Sequence, residues 1–146
     1  MANNGKVERY GASTEEHMKY VQYLANLETV RVNQFVPFTK WLKQTSGSDT
    51  TSEKLRFEKF EPGWIYVVTS ITAMDITDAA HQIRIGVTDG STDLVVESST
   101  VANAGDSVEF VGQLMLKETD GVYVEFRSIG ASDEIWVVMN GYKIRR

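Results

Sequence analysis

From Leu55 onward the chain is a succession of short runs in which apolar and polar residues alternate, each closed by a turn signal. Alternation of period two is the mark of a strand with one face in a core and one in water. Ile83, Ile85 and Val87 form one such series, as do Val108, Phe110, Leu114 and Leu116, and then Val122, Val124 and Phe126. Arg84, Glu109, Glu125 and Arg127 take the wet side. The pattern predicts strands near Leu55–Phe60, Trp64–Met74, Gln82–Thr88, Asp93–Ser98, Ser107–Leu116, Val122–Ser128 and Glu134–Tyr142. Asp89-Gly90 and Asp120-Gly121 sit where hairpins should turn, and Pro62-Gly63 and Ala104-Gly105-Asp106 mark further turns. So many short antiparallel strands in one stretch can satisfy their edges and faces by packing as two sheets. The expected fold is mainly β, an antiparallel β-sandwich of jelly-roll type.

Two segments break the alternation by being apolar on both sides. One is Trp64-Ile65-Tyr66-Val67-Val68. The other is the last strand, where Ile135, Val137 and Met139 oppose Trp136 and Val138. A sandwich covers one face of a strand, so the second face of each needs an arm or a neighbouring subunit. Gly141 in the last strand fits a bulge or a close approach of backbone.

Upstream the pattern changes. The stretch "TSGSDTTS", Thr45 to Ser52, has nothing to bury and reads as a linker. It divides an N-terminal helical and extended arm, residues 1–52, from a β domain, residues 53–146. In the arm, "ASTEEHMKYVQYLANLE" has helical spacing at Met18, Val21, Leu24 or Ala25, and Glu28. Ser13 and Glu16 are placed as a capping box. The following "TVRVNQFVPFTKWLK" is β-branched and interrupted by Pro37, which suits a strand or an extended arm and excludes a through-running helix. Its apolar load, Phe35, Val36, Phe38, Trp41 and Leu42, either docks on the protein's own core or meets another chain. Together with Trp136 and Val138 these are the candidate interface residues.

Catalytic chemistry has no visible carrier. The absence of Cys removes disulfides, thiolate zinc sites and cysteine nucleophiles. His17 and His81 have no partner at ligand spacing. The loop Asp89 to Asp93 has two carboxylates but lacks calcium-loop spacing, and reads as a hairpin. Asp75 and Asp78 flank a loop with no buried acid evident beside them. No P-loop, GxGxxG or GxSxG motif occurs. We therefore expect no enzyme activity and no cofactor. Residues 55–146 carry eight Lys and Arg against fourteen Asp and Glu, a surface that repels phosphate backbones, so no nucleic-acid partner is expected. No apolar run reaches the length of a membrane span, and the first residues lack the apolar core of a secretion signal. Production in a cytosol-like compartment is the expectation. The aromatic content leaves room for a carbohydrate-binding β-sandwich that stacks sugar rings on Trp64, Tyr66, Trp136 and Tyr142.

The combination "FEPGWIYVVTSITAMDIT", "IRIGVTDG" and "YVEFRSIGASDEIWVVMNGYKI" resembles small structural proteins of tailed-bacteriophage virions. Their last two strands carry an aromatic residue, a Gly-Ala turn, an acid, alternating apolar residues and a final Gly-Tyr. The matching positions are Phe126, Gly130, Ala131, Glu134 with Asp133 beside it, Trp136, Val138, Gly141 and Tyr142. The likeness spans about residues 57–144 and leaves the arm unmatched. It implies a non-enzymatic protein of the capsid-decoration, head-fibre or neck type. Such a protein would be assembled in the host cytoplasm into the virion, as a homo-oligomer bound to capsid or portal subunits.

Overall fold

A computed structural model describes residues 15–27, 35–47 and 51–146 of the chain. They fall in two compact units, residues 1–35 and 36–146. In the first, residues 15–27 form a helix, α1, every residue of which is exposed. Glu15 and Lys19 pair across one turn at 3.7 Å, in the orientation that favours a helix. Met18, Tyr20, Val21, Tyr23, Leu24 and Leu27 leave α1 with a broad uncovered apolar side. Ser13 and Glu28, the expected cap and the end of the helical pattern, lie outside the described residues.

The second unit is a β-sandwich. Its strands are β1 (Phe35–Thr45), β2 (Ser52–Arg56), β3 (Trp64–Asp75), β4 (Gln82–Thr88), β5 (Asp93–Thr100), β6 (Ser107–Leu116), β7 (Gly121–Arg127) and β8 (Glu134–Arg145). One sheet has the order β1-β8-β3-β6 and the other β2-β7-β4-β5. All but the β4–β5 hairpin among successive strands cross from sheet to sheet, which is jelly-roll topology. The alternating residues read from sequence fill the space between. Tyr66, Val68, Ile71, Ala73, Val108, Ile135, Val137 and Met139 come from the first sheet. Leu55, Ile83, Ile85, Val122, Val124 and Phe126 come from the second.

Four details differ from the sequence reading, the first being Asp120-Gly121, which carries the chain from β6 of one sheet to β7 of the other instead of closing a hairpin. Residues 36–45 belong with the sandwich rather than with an arm, because β1 is an edge strand of the first sheet. Pro37 fits there, since half the N–H groups of an edge strand face no partner. The strand expected at Leu55–Phe60 is Ser52–Arg56 instead. Phe57 and Phe60 lie beyond it yet stay buried and close the core, Phe57 with its N–H still donating to the Val122 carbonyl of β7 at 3.0 Å. Finally, Asp75 does have a buried acid beside it, contrary to the expectation for the loop it flanks. It ends β3 buried, at 2% exposure, beside Asp133 at 4%.

Gly141 is required by packing. A Cβ there would lie 2.1 Å from the Val67 carbonyl oxygen of β3, next to the register shift between Val68 and Ser70. At Asp89-Gly90 the expected hairpin joins β4 to β5, with Gly90 at φ 98°. The Asp89 carboxylate accepts from the Ser91 and Thr92 N–H groups, at 2.9 and 2.7 Å, and those bonds hold it below the usual carboxylate range.

Candidate interaction face

The two outer faces of the sandwich are finished differently. On the second sheet, the Tyr123 ring points outward and is nonetheless buried. It lies across Gly86, whose Cβ would fall 2.2 Å from the ring. The Lys54 ammonium sits 4.1 Å from the ring centroid and the Arg56 guanidinium 6.0 Å, so cationic stems roof it. Arg84 bonds Gln82 and Arg127 bonds Glu125 along the same face. Leu94 and Val95 on the edge strand β5 stay 62% and 41% exposed, but around Tyr123 this face covers itself.

The outer face of the first sheet does not. Because β8 lies between β1 and β3, its Trp136 and Val138 stand in a row with β1 on one side and with Met74 and Thr72 of β3 on the other. Trp41 of β1 is 71% exposed, and Val111 and Met115 on β6 are 74% and 68% exposed. Trp41, Leu42 and Lys43 with Trp136, Val137 and Val138 line a groove of about 260 Å³. A polar seam crosses the face beside it. Thr39 Oγ1 donates to Asn140 Oδ1 at 2.8 Å, and Asn140 Nδ2 donates to Ser70 Oγ at 3.3 Å.

The polar groups at the groove are already spoken for. Trp136 Nε1 donates to Glu134 Oε1 at 2.6 Å, and Lys43 Nζ reaches the same oxygen at 2.8 Å while lying 5.2 Å from the Trp136 ring centroid. Lys43 first, then Trp136, hold the Glu134 carboxyl below its ordinary range. What the groove offers an incoming group is therefore apolar surface with a fixed polar rim.

The seven interface candidates separate by strand parity. Phe38 and Leu42 turn inward and pack against the core, Phe38 edge-on to Tyr66 with centroids 5.2 Å apart. Val36 shares their side of β1 and is half-buried. Phe35 and Trp41 face outward, and with Trp136 and Val138 they belong to the exposed face. Val111, Met115 and Met74 complete that face and are not among the candidates. Their signal lies in β6 and β3, where Val111 and Met115 stand at positions that alternation assigns to solvent. Trp64, considered for sugar stacking, packs against the core and under Lys143, whose Nζ is 4.5 Å from its centroid. Tyr66 is buried. His17 and His81 lie in different units, and among the described residues no group of three or more His, Asp or Glu side chains is placed to hold a metal ion. None of the described helices is long and apolar enough to cross a membrane.

No family model matches the chain, and no curated protein matches it either. Among solved structures it is similar to a subunit of Bacillus endospore appendages, at 16% identity over 77% of this chain and 88% of that one, with a TM-score of 0.47. It is also similar to a pentameric capsid protein from metagenomic phage sequences, at 17% identity over 78% of this chain and 61% of that one, TM-score 0.34. A xylan-binding domain is similar at 17% identity over 78% and 88% of the two chains, TM-score 0.38. Likeness at this level concerns the β-sandwich architecture and does not reach function.

Proposed function

We propose that the chain is a non-enzymatic structural protein of a tailed-phage virion, a homo-oligomer that binds and reinforces capsid or portal and neck subunits. The observation that carries the reading is the asymmetry of the two outer faces. A single sandwich that roofs the middle of one face with cationic stems and leaves Trp41, Val111 and Met115 bare on the other has a surface finished for a neighbour. Burial of such surface contributes about 25 cal/mol per Å². The uncovered apolar side of α1 supports the same reading independently. The resemblance of residues 57–144 to virion proteins favours particle subunits as that neighbour.

The test is sedimentation of the full chain alone and mixed with purified capsid or portal subunits of its parent particle. A defined oligomer, or co-sedimentation with one of those subunits, is the expected result. A monomer at all concentrations that binds neither overturns the proposal.

A carbohydrate-binding module is the second reading, favoured by the exposed Trp41 ring beside Trp136. Sugar sites also use polar groups to fix the ring, and here Glu134 and Lys43 are engaged with each other and with Trp136. A glycan array separates the two: specific binding abolished by Trp41→Ala selects the sugar reading.

A further inference from the structure

At one end of the sandwich, four parts of the chain meet around two acids. Asp75 closes β3, and its Oδ1 accepts from the N–H groups of Thr77 and Asp78 at 3.0 and 3.1 Å. Its carbonyl accepts from Gly105 N of the β5–β6 loop at 2.6 Å. Asp133, in the turn between β7 and β8, accepts from Gly130 N through Oδ2 at 2.8 Å. Ser46, buried just past β1, is bound to the same turn three times. Its N–H donates to the Asp133 carbonyl at 2.8 Å, its hydroxyl donates to the Gly130 carbonyl at 2.7 Å, and the Asp133 N–H donates to that hydroxyl at 2.8 Å.

One atom in this joint stands apart. Asp75 Oδ2 is buried and has no hydrogen-bond partner. A buried polar oxygen without a donor costs more than an ordinary hydrogen bond returns. Yet Asp133 stands next to Asp75, because Asp75 pairs with Ile135 across β3 and β8, the Ile76 N–H donates to the Glu134 carbonyl at 2.8 Å, and Asp133 lies on the same side of the chain as Ile135. Two ionised carboxylates cannot sit so close, whereas a carboxyl and a carboxylate can, with one proton between them.

We propose that Asp75 and Asp133 share one proton, Asp75 Oδ2–H donating to the Asp133 carboxylate, and that this proton locks the end of β1 to the sandwich and releases it as pH rises. The proton gives Asp75 Oδ2, the unpartnered buried atom of the joint, a hydrogen bond of its own. Burial and then the Asp133 charge push Asp75 above the usual carboxylate range, against the pull of the Asp78 and Thr77 N–H groups. Of the other ionisable groups on the surrounding elements, His81 of the β3–β4 loop is exposed and the rest are engaged elsewhere. Asp78 caps Ala79 N, Asp106 binds Asn103, and Glu134 and Lys43 pair with each other. The sign follows from a raised pKa in the folded state. Stability from the pair is complete below the unfolded value of an aspartate and is lost as pH rises through the folded value. Loss of the proton leaves two charges facing each other in a dry joint. The contacts that yield are those of the Asp133 turn, and with them the three bonds that hold Ser46.

The test uses the full chain, with carbon NMR of the Asp carboxyls and amide hydrogen exchange, expressed as protection factors so that base catalysis of exchange is removed. The Asp75 carboxyl should titrate above the ordinary aspartate range. Across the same pH interval the Ser46 and Asp133 amides should lose at least about tenfold in protection, with core amides of β3 unchanged. Asp75→Asn mimics the protonated acid, because its carbonyl can take the Thr77 and Asp78 N–H groups while its amide donates to Asp133. Protection in that variant should stay flat with pH. Asp133→Asn, with the amide donating to Asp75 instead, should flatten it too and serves if the first variant fails to fold. An Asp75 carboxyl that titrates in the ordinary range overturns the proposal, as does wild-type protection indifferent to pH. Restoration of protection by added calcium above the titration also overturns it, since the joint would then hold a cation instead.

Discussion

Trp41 and Phe38 are three residues apart on β1 and face opposite ways, so truncating each should produce opposite defects. A tryptophan side chain spans roughly 250 Å². At 71% exposure, Trp41 leaves roughly 180 Å² uncovered, worth at most about 4.5 kcal/mol at ~25 cal/mol per Å² if a neighbour covered all of it. Alanine retains a little of that area and rims are never fully dry, so about 2 kcal/mol is a fair expectation for Trp41→Ala. That is about a thirtyfold weaker association. Within the protomer the ring buries only the remaining area, roughly 70 Å², so unfolding of the monomer should change by at most about 1.8 kcal/mol, and by less once the area alanine keeps is counted. Phe38→Ala removes a ring packed on the core and on Tyr66, and should cost about 2–3 kcal/mol of folding stability. The assays are sedimentation equilibrium for association and a urea titration for stability. The titration is run dilute enough that mass action does not couple the two. Trp41→Ala with unchanged association, or with a loss of folding stability as large as that of Phe38→Ala, would refute the assignment of the two faces.

Three further outcomes are expected. Gly141→Ala puts a Cβ 2.1 Å from the Val67 carbonyl and should cost at least ~2 kcal/mol in a urea titration, because β3 and β8 must part to admit it. Deleting residues 1–34 should leave the unfolding midpoint nearly unchanged, whereas deleting residues 1–44 removes β1, bares an edge of β8 and should lower it sharply; equal midpoints would mean that β1 is dispensable to the sandwich. Glu134 is held below its ordinary range, so the clamp it forms with Lys43 and Trp136 is present above that range and lost as pH falls through the depressed value. The Trp136 indole N–H resonance should shift on acidification in the wild type and stay still in Glu134→Gln.

Strands with a clean period of two are legible from the order of their residues. Gln82–Thr88 and Ser107–Leu116 match their observed bounds, because each has one dry and one wet face and a turn at both ends. β1 is harder to read. Pro37, Thr39, Lys40 and Lys43 dilute its pattern, and whether it is a strand or an arm depends on a partner, β8, about a hundred residues away. The inward Phe38 and outward Trp41 look alike in sequence until that pairing assigns their sides. The Asp75–Asp133 contact is hidden for the same reason. Each acid sits beside its own turn signals, and only the sheet order brings the two turns together.

The position of β8 between β1 and β3 has a consequence for synthesis. Of the eight strands among the described residues, β1 emerges first and its ladder partner emerges last. Until then Phe38 and Leu42 have no inner face to join, and β3 shows an open edge where β8 will lie. Closing that gap is a contact of long sequence separation, which slows folding and lengthens the interval in which unpaired edges can meet those of other nascent chains. A chain cut before residue 134 would keep seven of the described strands and a first sheet lacking the strand that joins β1 to β3.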